Sequence, residues 1–123
     1  MKPLFHPSVD DITVEGILHA LSDPVRVQIF AEIAKANCPQ TCSAFLELSE
    51  RAVPKSTLSQ HFKVLREAGL IRSERKGVEL HNTPRHGDIH ERFGKLIMAI
   101  IDAHAAQTRR MQRGQRARRA KRA

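Results

Sequence analysis

Ser56-Thr57-Leu58-Ser59-Gln60-His61-Phe62-Lys63-Val64-Leu65-Arg66-Glu67-Ala68-Gly69-Leu70-Ile71 is the most informative stretch of this chain. Leu58, Phe62 and Leu65 recur at helical spacing and make one apolar face. Ser56, Ser59, Gln60 and Lys63 form the opposite stripe, with Thr57 beside it. Gly69 stops the helix. Short hydroxyls, an amide and an ammonium suit a helix lying in a DNA major groove, where base edges are met at close range. Gln60 fits a bidentate contact to adenine, and Lys63 and Arg66 are expected at phosphates.

Immediately before it, Val53-Pro54-Lys55-Ser56 reads as a turn followed by a cap, so this helix is expected from Ser56 to Ala68. Two short extended stretches follow, Leu70–Glu74 and Val78–Asn82, joined at a basic tip, Arg75-Lys76-Gly77. Upstream, a first helix is expected from about Ile12 to Leu21. Ser22-Asp23-Pro24 starts a second, which ends before Asn37-Cys38-Pro39. A third is expected from Thr41, as its cap, to about Arg51, with Ala44, Phe45 and Leu48 inward. Downstream, Ile89, Phe93, Leu96, Ile97, Ile100 and Ile101 form a continuous stripe, so a long helix is expected from Asp88 to at least His104. The fold expected is mainly α with a small two-stranded β-ribbon, in the order ααααββα.

The 123 residues suit one domain. The net charge of +8 resides in the tail: Thr108 to Ala123 holds eight basic residues and no acid, which leaves residues 1–107 formally neutral. Alkalinity of the whole chain therefore says nothing about the folded part. Residues 55–76, however, carry six basic residues and two acids, a local patch of the kind duplex DNA selects. Lys55, His61, Arg72, Arg75 and Lys76 join Ser56, Thr57, Ser59, Gln60, Lys63 and Arg66 as expected DNA contacts. The organisation expected is an irregular arm over residues 1–11, one domain over 12–107, and a basic tail over 108–123 that is disordered, or helical only when bound, and that either attracts DNA without regard to sequence or is simply solvated.

Leu21-Ser22-Asp23-Pro24-Val25-Arg26-Val27-Gln28-Ile29, the stretch from Ser56 to Ile71 and the ribbon with Gly77 together resemble the ArsR/SmtB family of bacterial winged helix-turn-helix repressors. The resemblance spans roughly residues 12–105. It implies five helices plus a wing. It also implies a homodimer held by the first and last helices, an inverted-repeat operator in double-stranded DNA, repression, and release by an effector. Ile17, Leu18, Phe93, Leu96, Ile97, Ile100 and Ile101 are the expected dimer residues, and the length of the last apolar stripe fits that role.

Two effector sites come into question. One family metal site begins with Asp-x-His on the last helix and is completed further along it, across the dimer. Asp88 and His90 match its start, but the next position is Ile101, which cannot ligate; His104 follows. A capping Asp88 and surface histidines are the favoured reading, so no cofactor is expected to be required. Arsenic-sensing members carry Cys-x-Cys on the third helix, a pair absent here. Cys42 nonetheless falls at the expected start of that helix, where amides and dipole lower a thiol pKa, with Cys38 as a resolving partner or second soft-metal ligand.

Scarce aromatics argue against single-strand or RNA recognition, and no phosphate loop or nucleophile–base spacing points to an enzyme. A winged-helix protein-interaction module without specific DNA binding is the alternative. No apolar run approaches a membrane span and the N-terminus has no secretory pattern, so a cytoplasmic protein without membrane partners is expected.

Overall fold

The computed structural model describes residues 3–36, 38–45 and 53–122. Four α-helices and a three-stranded antiparallel sheet are seen among them: α1 (Val14–Ala20), α2 (Pro24–Lys35), β1 (Gln40–Thr41), α3 (Lys55–Glu67), β2 (Ile71–Lys76), β3 (Glu79–Pro84) and α4 (His86–Arg122). The caps explain where the first helices begin. Thr13 accepts from the Gly16 amide at 3.0 Å; Asp23 accepts from the amides of Val25 and Arg26 at 2.8 and 3.3 Å, with Pro24 in the first turn.

The end of α3 is a Schellman motif. The amide of Gly69 reaches the carbonyl of Arg66 and that of Leu70 the carbonyl of Leu65, both at 3.1 Å, with Gly69 at φ +86°. This turn throws Leu70 and Ile71 directly into the core. A Cβ on Gly69 would lie 2.5 Å from the buried Ile12 side chain. Gly69→Ala is therefore expected to lose at least about 1–2 kcal/mol from the left-handed backbone alone, and more from the displaced Ile12. Urea unfolding checks it; an unchanged midpoint contradicts it.

One core unites all four helices. Ile17 and Ala20 of α1, Ile29, Phe30 and Ile33 of α2, Leu58, Phe62 and Leu65 of α3, and Ile89, Phe93 and Ile97 of α4 are buried together. Phe45 meets Phe62 edge to face at 5.5 Å between centroids.

Several expectations are corrected. Thr41 does not cap a helix: it pairs with His81, and Gln40 with Asn82, so β1 widens the two-stranded ribbon to a sheet of order β1-β3-β2. Cys42–Phe45 is a 3₁₀ turn, and the rest of the expected third helix, residues 46–51, lies outside the described residues. α3 begins at Lys55 with no side-chain cap, so Ser56 stands inside its first turn. Lys76 pairs with Glu79, so Arg75 and Lys76 belong to β2 and the tip is Gly77-Val78, a two-residue loop with glycine at φ +65°. Finally, α4 passes His104, as the stripe allows, and goes on through the tail. It runs unbroken for 37 residues, and the tail expected to be disordered is its C-terminal part.

Candidate nucleic-acid interface

The polar stripe of α3 lies where its periodicity puts it. Lys55, Ser56, Thr57, Ser59, Gln60 and Lys63 are all exposed. Lys63 sits 4.0 Å from Glu67, an open pair that leaves its charge available. On the neighbouring β2, Arg72, Arg75 and Lys76 are exposed as well. The antiparallel pleat turns Ile71 and Ser73 inward and sets Arg72, Glu74 and Lys76 on the opposite face. The short polar side chains of α3 and the cations of β2 are thus open to solvent.

Two expected contacts are not exposed in this way. Arg66 is buried, at 7% exposure, and its Nε donates to Ser73 Oγ at 3.0 Å. It lies one turn beyond Phe62 and two beyond Leu58, on the apolar side of the helix. His61 is half-buried, and its Nδ1 lies 3.3 Å from Nη1 of Arg26 on α2. Both residues hold the helix in place rather than face outward.

Arg66 begins a polar chain that composition does not reveal. Ser73 Oγ donates to Asn82 Oδ1 at 2.6 Å, and Asn82 Nδ2 donates to the Gln40 carbonyl at 2.9 Å and approaches Cys42 Sγ at 3.7 Å. Asn82 is fully buried. The chain ties the end of α3 to all three strands, and so fixes the wing relative to the helix. Arg26 is a second fastener: its guanidinium donates to the carbonyls of Ala20 and His19, at 2.7 and 3.2 Å, while one nitrogen meets His61.

The N-terminal arm forms a third. The Ser73 amide, on the outer edge of β2, donates to His6 Nε2 at 3.0 Å, and buried Arg85 donates to the Pro7 carbonyl at 2.9 Å. Burial, then the charges of Arg72, Arg66 and Arg85, hold the His6 pKa below its ordinary value of 6.5. The neutral ring is the form that accepts this bond. With the folded pKa below the unfolded one, the stabilisation is complete above 6.5 and fades as pH falls below it. Wild-type protein is therefore expected to melt above His6→Ala in mildly alkaline buffer, with the gap closing as the pH drops through 6. A constant gap refutes this role of His6.

The expected effector groups are dispersed. Asp88 pairs with Arg85 at 2.9 Å, and His90 is exposed. His104 faces Thr108 and opens on a groove of about 560 Å³ between α2 and α4. Sixteen residues separate Asp88 from His104, about 24 Å of helix, so one protomer cannot bring them to one ion. No cluster of three His, Cys, Asp or Glu occurs among the described residues. Cys38 is exposed and Cys42 half-buried, both as free thiols. Burial pushes the Cys42 thiol up, opposite to the expected lowering.

Of the expected dimer residues, Ile17, Phe93 and Ile97 are buried inside the protomer core, which corrects their assignment to a surface. Leu18 is exposed, and Leu96, Ile100 and Ile101 are partly buried, near the exposed Met98. No helix among the described residues is long and apolar enough to cross a membrane.

Residues 21–74 match a family model described as a helix-turn-helix domain. The fold is similar to that of an ArsR-like transcriptional regulator from Rhodococcus sp. RHA1, at 21% identity and a TM-score of 0.50, over 84% of this chain and 90% of that one. It is also similar to an ArsR family transcriptional regulator at 16% identity and a TM-score of 0.54, over 89% and 97%. No curated protein sequence matches.

Proposed function

We propose that this chain, a winged helix-turn-helix protein of the ArsR type, is a transcription regulator that reads duplex DNA with α3 and steadies itself on the backbone with β2. A regulatory and not an enzymatic role is part of the proposal. The observation that carries the reading is the exposed row Ser56, Thr57, Ser59, Gln60 and Lys63, flanked by Lys55, Arg72, Arg75 and Lys76. The first turn of α3 adds amides that no side chain caps, which suit a phosphate.

Dimerisation is part of the proposal. Leu18, Met98 and the outer edges of Leu96, Ile100 and Ile101 supply apolar surface on α1 and α4. A two-fold pair places two α3 helices about one DNA turn apart, on an inverted repeat. A monomer alone in sedimentation at micromolar concentration contradicts this. Promoter repression and effector release follow from the family resemblance, and a cytoplasmic setting goes with a DNA-binding role. The raised Cys42 pKa weighs against a thiolate sensor.

The test is fluorescence anisotropy on duplex DNA from upstream of the protein's own coding sequence, against a scrambled duplex at one fixed salt. A preference of at least about a hundredfold is expected. Equal, weak binding to native and scrambled duplexes from several candidate promoters favours the protein-interaction module instead.

A further inference from the structure

We propose that the C-terminal turns of α4, from Thr108 to Arg122, form a second duplex-DNA contact, independent of base sequence, beside the one made by α3. These turns carry Arg109, Arg110, Arg113, Arg116, Arg118, Arg119, Lys121 and Arg122 and no acid. At 1.5 Å per residue they extend about 22 Å, one cation for roughly every 3 Å of axis. Seven of the eight are arginines, whose planar forks pair bidentately with phosphate.

Three further observations identify the partner as a polyanion, and as duplex DNA among polyanions. First, the helix repels itself: Arg109 and Arg113, Arg113 and Arg116, and Arg118 and Arg122 are like charges three or four residues apart. None of the ion pairs among the described residues involves this segment. A polyanion relieves that repulsion along its whole length. Second, the segment has no apolar stripe. Met111, exposed at 59%, is its one large apolar side chain, so it lacks the face by which an amphipathic helix enters a lipid interface or packs on a protein groove. Third, it is the rigid continuation of a helix anchored in the core by Ile89, Phe93 and Ile97. Its charge is held in a fixed array around one helix axis, so it meets the dense phosphate charge of a duplex without first being ordered. The contact adds to the α3 reading but does not depend on it.

The test uses the full chain and a variant with Arg109, Arg110, Arg113 and Arg116 all changed to Gln, with the same four changed to Lys as a second variant. All four residues are exposed and outside the core, and equal melting temperatures verify the fold. Affinity for native and scrambled duplex is measured across a salt series. The Gln variant is expected to lose affinity equally on both duplexes. Its salt slope should shallow by about 3–4 per protomer, near 0.9 for each phosphate no longer neutralised. The Lys variant is expected to keep the wild-type slope. An unchanged slope in the Gln variant overturns the proposal, as does loss of slope in the Lys variant. So does equally tight, equally charge-dependent binding to vesicles rich in phosphatidylserine, which would make the partner a membrane. Failure of the α3 reading shows differently: wild type would not prefer the native duplex, whatever its slope.

Discussion

Asn82→Ala is expected to cost about 2–4 kcal/mol of folding stability, and more than Arg66→Met. The asymmetry follows from what each change leaves behind. Asn82 accepts from Ser73 Oγ and donates to the Gln40 carbonyl, fully buried. Its loss orphans both, and removes the acceptor through which Ser73 is polarised toward the Arg66 guanidinium. A buried cation then keeps a weakened partner. Arg66→Met removes the charge and its desolvation together. Burial already works against that charge, Ser73 and Asn82 still satisfy each other, and the expected cost is about 1 kcal/mol. Urea unfolding of both variants decides it. Equal costs, or a larger one for Arg66, would show that the guanidinium and not the amide organises the chain.

Gln60→Ala is expected to lower affinity for the native duplex about 5- to 150-fold, the range of one bidentate base contact, and to leave scrambled duplex almost unchanged. Lys63→Ala provides the contrast. Removing a cation that faces a phosphate weakens both duplexes alike and reduces the salt slope by about one per protomer. Both residues are exposed on α3, so neither change should shift melting. Uniform weakening by Gln60→Ala would move base reading elsewhere on the surface.

Local chemistry was readable from the chain. The Asp23-Pro24 start, the Gly69 stop, the extended pair after it and the long stripe beginning at Ile89 each rest on residues a few positions apart. β1 could not be read this way. Two residues have no alternation to detect, and Gln40 finds Asn82 only through the tertiary fold. Arg66 and His61 were legible in principle. Arg66 is four residues from Phe62 and eight from Leu58, and His61 is three from Leu58 and four from Leu65, so helical period sets both against the packed side. Their polarity drew the reading toward DNA, although polar side chains also serve as internal fasteners. The basic end of α4 misled in the opposite direction, since composition without an apolar stripe is the mark of a disordered segment.

Arg26 bears on how much change the molecule tolerates. Its guanidinium holds α1 through the main-chain oxygens of His19 and Ala20, and reaches α3 through a ring nitrogen of His61. On the α1 side it recognises the shape of a helix end and no side chain at all. The exposed positions of α1, Leu18 and His19 among them, are therefore free to diversify, and with them any surface that distinguishes one partner from another. The tether to the DNA-facing helix persists through every such change. Arg26 itself has no such latitude, because lysine offers a single ammonium where three acceptors are spread around a planar fork.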